Sequence, residues 1–71
     1  QNVSLSAISK LDDEKVDVAT MREKGVIKSA AKPVKVLANG DIERAVEVYA
    51  HAFSATAAEK IKKAGGKAIV G

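Results

Sequence analysis

Residues 35–66 read KVLANGDIERAVEVYAHAFSATAAEKIKKAGG, and the order of elements in this stretch decides the fold. Lys35-Val36-Leu37-Ala38 has the character of a strand end, and Asn39-Gly40 is the strongest two-residue turn signal in the chain. Glycine takes positive φ without steric cost and asparagine tolerates it, so a tight hairpin reversal is expected there. A second extended run follows from Ala45 to Phe53. Val46, Val48, Ala50 and Ala52 fall on one of its faces and Glu47, Tyr49 and His51 on the other, which is the period of a half-buried strand. Ser54 stands where a helix N-cap belongs, with a hydroxyl able to accept a free N–H of the first turn. The helix is expected over 55–64, and Gly65-Gly66 supplies its left-handed C-cap.

On the N-terminal side, Val3 and Leu5 alternate like a short strand, while Leu5, Ile8 and Leu11 recur like a helical turn. Asp12-Asp13-Glu14-Lys15 reads as a polar loop; it lacks the glycine hinge and the closing bidentate glutamate of a calcium loop. Asp17 is placed to cap a helix over 18–24, with Val18 and Met21 inward and Gly25 closing it. Residues 28–32 form an alanine-rich polar connection, and Pro33, without an N–H, fits only the beginning of the next strand.

The chain has 71 residues, enough for one domain, and a domain this small buries only about 60% of its unfolded surface. With one Phe, one Tyr and no Trp, the core has to be built from short aliphatic side chains. Val36, Leu37, Val46, Val48, Phe53, Ile61 and Ile69 are its expected members. Phe53, the only large apolar ring, is expected to matter most, with Phe53→Ala costing about 3–5 kcal/mol if fully buried. Absence of cysteine excludes disulfides and thiolate metal sites. No apolar run approaches the roughly 20 residues of a membrane-spanning helix.

Twelve Lys and Arg against nine Asp and Glu leave a net charge of +3. The charge is uneven: acids cluster at residues 12–17, whereas Lys60, Lys62, Lys63 and Lys67 follow Glu59 without another acid. A basic end of this kind attracts phosphate backbones through counterion release, and it equally well solvates a small domain. On the helical wheel Ala57, Ile61 and Ala64 make a narrow apolar stripe, flanked by Thr56, Lys60 and Lys63, with Glu59 placed to pair with Lys63. The helix start near Ser54 and Thr56 carries free N–H groups that suit a phosphate or simply a cap. Catalytic constellations are missing: His51 is the only histidine, and its neighbour Ser54 has no third orienting group. Gly65-Gly66 follows a helix instead of opening one, unlike a nucleotide-binding loop. No enzyme, cofactor or small-molecule substrate is expected.

The succession Lys35-Val36-Leu37-Ala38, Gly40, Ile42, Val46, Val48, Phe53-Ser54, Ala57, Ile61, Gly65 resembles the C-terminal signature of the large-subunit ribosomal protein fifteen family. Lys32-Pro33-Val34-Lys35, Ala50-His51-Ala52, residues 24–28 and the closing residues 66–70 fit the same pattern, so the resemblance covers nearly the whole chain. It implies an α/β domain built as a small irregular stack of β-β-α turns. It further implies that residues 1–71 are one globular domain, the C-terminal part of a longer chain whose basic N-terminal extension is missing. The implied role is structural, in the large subunit of the cytoplasmic ribosome. The implied partners are large-subunit rRNA and neighbouring ribosomal proteins. The alternative is a protein-docking module, whose face around Tyr49 and His51 meets a ribosomal or assembly partner while RNA affinity resides in the extension. Expected RNA contacts are Lys28, Lys32, Lys35, His51, Ser54, Thr56, Lys60, Lys63 and Lys67. Relatives often carry basic residues where this chain has Ala55 and Ala58, which moves the expected weight onto Lys60 and Lys63.

Overall fold

Strands of two to four residues are too short to pair stably in isolation, so each has to be stacked against several neighbours. The computed structural model of the chain describes residues 1–70 and shows how this is done. In order the elements are β1 (Asn2–Ser4), α1 (Leu5–Ser9), β2 (Lys15–Val16), α2 (Val18–Glu23), β3 (Lys35–Leu37), β4 (Glu47–Ala50), β5 (Ala52–Phe53), α3 (Ala55–Lys63) and β6 (Lys67–Val70). Odd strands form one parallel sheet, β1-β3-β5, and even strands another, β2-β4-β6. The chain thus lays down three layers, each giving one strand to each sheet: β1-α1-β2, β3 to β4, and β5-α3-β6. The fold is α/β and is the irregular stack that the family resemblance implies.

Strands β3 and β4 do not form a hairpin. Gly40 does take positive φ (89°), but β3 pairs with β1 and β5, and β4 with β2 and β6. The carbonyls of this turn are engaged by other elements: Ser6 N–H donates to Asn39 O, and the Lys60 ammonium donates to Ala38 O and Gly40 O. Ile42, 7% exposed, then drops into the core, so residues 38–46 plug the stack instead of starting a strand. Gly40 also lies against α1, where an added Cβ would fall 2.6 Å from the Ser6 Cβ. The extended run 45–53 is likewise split. It bends at His51, so that β4 belongs to one sheet and β5 to the other. The segment expected to be a polar loop at residues 12–15 ends in β2, because Val16 pairs with Val48 and is fully buried.

Both capped helices form as expected. Ser54 Oγ accepts the Ala57 N–H at 3.2 Å and Asp17 Oδ1 accepts the Thr20 N–H at 2.7 Å. Helix α3 ends with Gly66 N–H on Ile61 O and Gly65 N–H on Lys62 O, the paired bonds of a Schellman cap with Gly65 at φ 88°. Gly66 is required for another reason: an added Cβ would collide with the Val46 carbonyl oxygen. This close approach lets the third layer settle on the second. The same bond pattern, Val26 N–H to Met21 O and Gly25 N–H to Arg22 O, closes α2.

The buried cluster runs through all three layers: Val3, Leu5, Ile8, Val16, Met21, Val36, Val46, Val48, Ala57 and Ile61, with Val34 and Ala50 beside them. Three expected core members are only partly buried: Leu37, Phe53 and Ile69. Phe53 lies on the two-residue edge strand β5, which has no further strand to cover the ring. Ile69 pairs with Tyr49 on the face opposite Val48, and that face is open to solvent. The largest sealed side chains are Leu5, Ile8, Met21 and Ile61.

Leu5→Ala or Ile61→Ala should therefore destabilise by about 2–5 kcal/mol, and Phe53→Ala by clearly less than either. Urea unfolding of the three variants checks the order, and a Phe53→Ala loss equal to that of Leu5→Ala would restore the ring to the centre of the core. A second expectation concerns acid. The Thr20 backbone hydrogen bond holds the Asp17 carboxyl below its usual value of 3.8. A carboxylate whose pKa is depressed on folding stabilises the fold above its unfolded pKa, and that contribution is lost as pH falls through the folded pKa. Asp17→Asn keeps a capping oxygen, so its urea midpoint should stay near the parent's at neutral pH and lose less below pH 3.8. Identical acid profiles for the two proteins would exclude Asp17 as a source of the acid sensitivity.

Candidate nucleic-acid interface

The expected contact residues fall into two groups that the fold separates. The first lies on and after α3. Ser54 is half-buried, and its hydroxyl oxygen is occupied as the N-cap of α3. Thr56 and Lys63 are exposed, as is Glu59, which forms no ion pair with Lys63. Among the described residues the one ion pair joins Lys60 Nζ to Asp41 Oδ1 at 3.1 Å. The same ammonium donates to Gly40 O at 3.0 Å and to Ala38 O at 3.4 Å. Lys60 thus has a structural task, holding residues 38–41 against α3. Lys63 shares a surface groove with Asp41 and Glu43. Lys67 stands in register with Glu47, which has Lys15 on its other side, and a groove of about 280 Å³ there is lined by Glu14, Lys15, Glu47, Gly65, Gly66 and Lys67. Lys60 is thus paired with a carboxylate, and Lys63 and Lys67 line grooves that also carry acidic residues.

The second group gathers where β1, β3 and β5 begin. Lys28, Lys32 and Lys35 are all exposed. Their segment is wrapped around the side chain of Gln1. Its Oε1 accepts the N–H groups of Lys28 and Ser29, each at 3.2 Å. Its Nε2 donates to Ser29 O at 2.7 Å and to Lys32 O at 3.2 Å. His51 joins this group through Val34: Nδ1 accepts the Val34 N–H at 2.9 Å, and the His51 N–H donates back to Val34 O at 3.0 Å. Because Nδ1 is an acceptor, the neutral ring carries its proton on Nε2. Lys35 pairs with Ala52, next to His51, and lies at the opposite end of β3 from Ala38. It belongs with this group and not with the flank of α3.

Tyr49, the centre of the alternative docking face, is half-buried. Its hydroxyl donates to Glu47 Oε2 at 3.3 Å, and Lys15 Nζ sits 5.2 Å from the ring centroid. His51 is directed toward Val34 and so is separate from this cluster. The Gln1 amide, the Asp41 clamp on Lys60 and the Lys15–Tyr49 contact all escape sequence reading. Each joins residues far apart in the chain by a polar contact that leaves no periodic signal. Arg44 is similar: its Nη1 donates to Asp13 O at 2.9 Å and ties the second layer to the first.

Fold and surface together define a small stacked α/β domain with lysines presented on two of its sides. Residues 2–69 match the family model described as "Ribosomal proteins 50S-L15, 50S-L18e" together with their 60S counterpart, and the chain belongs to that family. It is 45% identical over 69 residues to the large ribosomal subunit protein uL15 of Agathobacter rectalis, covering 96% of this chain and 47% of the relative. The protein of the same name from Methylacidiphilum infernorum is 43% identical over 65 residues, with 92% and 43% covered. That of Dehalococcoides mccartyi is 54% identical over 48 residues, with 68% and 31% covered. The chain thus spans less than half the length of these relatives.

Replacement of Lys60 by Gln should loosen residues 38–41. Faster amide exchange at Ser6, whose N–H is bonded to Asn39 O, is the expected readout. An unchanged exchange rate at Ser6 would show that the ammonium does not hold this segment.

Proposed function

We propose that this chain is a structural constituent of the large ribosomal subunit and contacts large-subunit rRNA through its exposed lysines. Its place would be on the ribosome in the cytoplasm, among neighbouring large-subunit ribosomal proteins. Membership of the ribosomal family over residues 2–69 carries this reading, and the excess of exposed lysine supports it. Lysine ammonium groups act as compact charges that position a phosphate backbone without reading bases. The described residues offer no group of three or more His, Cys, Asp or Glu that could hold a metal ion. They also lack the aromatic pairs on which single-stranded bases stack, since Tyr49 is the only tyrosine and Phe53 the only phenylalanine. Contact of this kind follows the shape and phosphates of A-form RNA.

One observation favours a second reading, docking onto a neighbouring protein. Tyr49 and Ile69 are adjacent on the open face of the β2-β4-β6 sheet, and Val70 on its edge strand is 68% exposed. The two readings differ in salt dependence. Titration of the chain with a large-subunit rRNA fragment should give weak, sequence-tolerant binding, about 10⁻⁴–10⁻⁶ M at physiological salt, weakening steeply as salt is raised. Nanomolar, salt-resistant binding would mean that this domain carries specific recognition by itself. No binding even at low salt, with retention on ribosomal proteins that is lost in Tyr49→Ala, would favour the docking reading.

A further inference from the structure

On the reading that the chain contacts rRNA, we propose that the contact is made by the segment 28–35 together with His51, and not by the lysines of α3 and β6. Two basic surfaces compete for the role, and their surroundings decide between them. Residues 24–40 hold four lysines and no Asp or Glu. In the other surface the lysines are opposed: Lys60 by Asp41 at 3.1 Å, Lys63 by Asp41 and Glu43 in one groove, and Lys67 by Glu47 across the ladder. A phosphate approaching Lys60 meets the Asp41 carboxylate 3.1 Å from the ammonium, well inside the screening length of about 8 Å at physiological salt, and one approaching Lys63 or Lys67 enters a groove that also carries acidic residues. Lys62 and Lys63 also have a reason to be where they are, since cations in the last turn of a helix stabilise its C-terminal carbonyls.

The segment 28–35 is also ordered before any ligand arrives. The Gln1 amide makes four hydrogen bonds to its backbone, while Val34 is fixed to His51 by two more. None of these bonds uses a lysine side chain, so the ammonium groups of Lys28, Lys32 and Lys35 remain available. A backbone already held in place loses little entropy when its side chains engage a partner. His51 adds a directional group. With Nδ1 engaged by Val34, Nε2–H is left without a partner among the described residues, and it can donate to a phosphate oxygen or a 2′-hydroxyl. Three point charges and one neutral donor on a fixed loop suit the ridge of an RNA backbone, whose phosphates and 2′-hydroxyls offer acceptors along its length.

Two triple variants with equal charge loss test the assignment on the 71-residue chain: Lys28→Gln/Lys32→Gln/Lys35→Gln and Lys62→Gln/Lys63→Gln/Lys67→Gln. All six side chains are exposed, so circular dichroism should show both folded. Binding to a large-subunit rRNA fragment is measured over a range of salt. The first variant should flatten the log–log salt slope by about 2.1 to 2.7 units, for three lost phosphate contacts, and the second by less than about one unit. His51→Asn keeps an oxygen able to accept the Val34 N–H but removes the outward donor, and should weaken binding about two- to tenfold at unchanged slope. Equal flattening by both triples would reduce the effect to net charge and overturn the assignment, as would a larger effect of the second. A parent chain that binds ribosomal proteins but no rRNA at any salt would overturn the underlying reading as well.

Discussion

The middle layer is the constraint on which everything else rests. Val36 of β3 lies in register with Val3 on one side and Phe53 on the other, while Val48 of β4 lies between Val16 and Ala68. Neither outer layer touches the other through a ladder. With strands this short, an outer layer has backbone partners only because β3 and β4 present hydrogen-bonding groups on both edges. The middle layer has no helix of its own. Its connection, residues 38–46, is therefore held by its neighbours: by α1 through Ser6, by α3 through Lys60 and by the loop before β2 through Asp13. Gly66 lets the third layer come close enough to complete the stack.

That arrangement explains how the lysines divide. Lys60 is drawn inward because residues 38–41 lack a regular partner for their carbonyls, and an ammonium with three donors meets two of them and the Asp41 carboxylate together. At the far end of β3 the need is met differently, by the neutral amide of Gln1 and the neutral ring of His51. Neutral groups satisfy the backbone there, and the local lysines keep their charge for the solvent side. One surface uses its charge to build the protein; the other leaves it unspent.

Local chemistry was legible in the sequence and pairing was not. The caps at Ser54 and Asp17, the glycine ends of α2 and α3, and the alternation of Val46, Val48 and Ala50 follow from neighbours within a few residues, and all are present. Asn39-Gly40 also behaves locally as read, since Gly40 has positive φ. What failed was the step from a turn to a hairpin. A parallel stack pairs each strand with the one two places away, and nothing in the turn itself encodes that. Phe53 misled for a related reason: its size marks it as core, but only topology shows that β5 is an edge. For the candidate interface, residue types supplied only an inventory of lysines; their division into two groups is set by strand register and by the Lys60 clamp, which the sequence does not display.

The odd-with-odd, even-with-even pairing also bears on how the chain is made. Val3 meets its ladder partner only at Val36, and Val16 only at Val48. During synthesis from the N-terminus, β1 and β2 are therefore completed long before anything exists for them to pair with. The first layer has to wait largely unpaired, because contacts between residues distant in sequence form late and carry a loop-closure cost. Once β4 emerges, both sheets gain a template, and each later residue adds to a surface already in place. The helices α1 and α2, of five and six residues, are too short to persist alone, so their caps at Ser4 and Asp17 take effect only when β3 and β4 supply the packing.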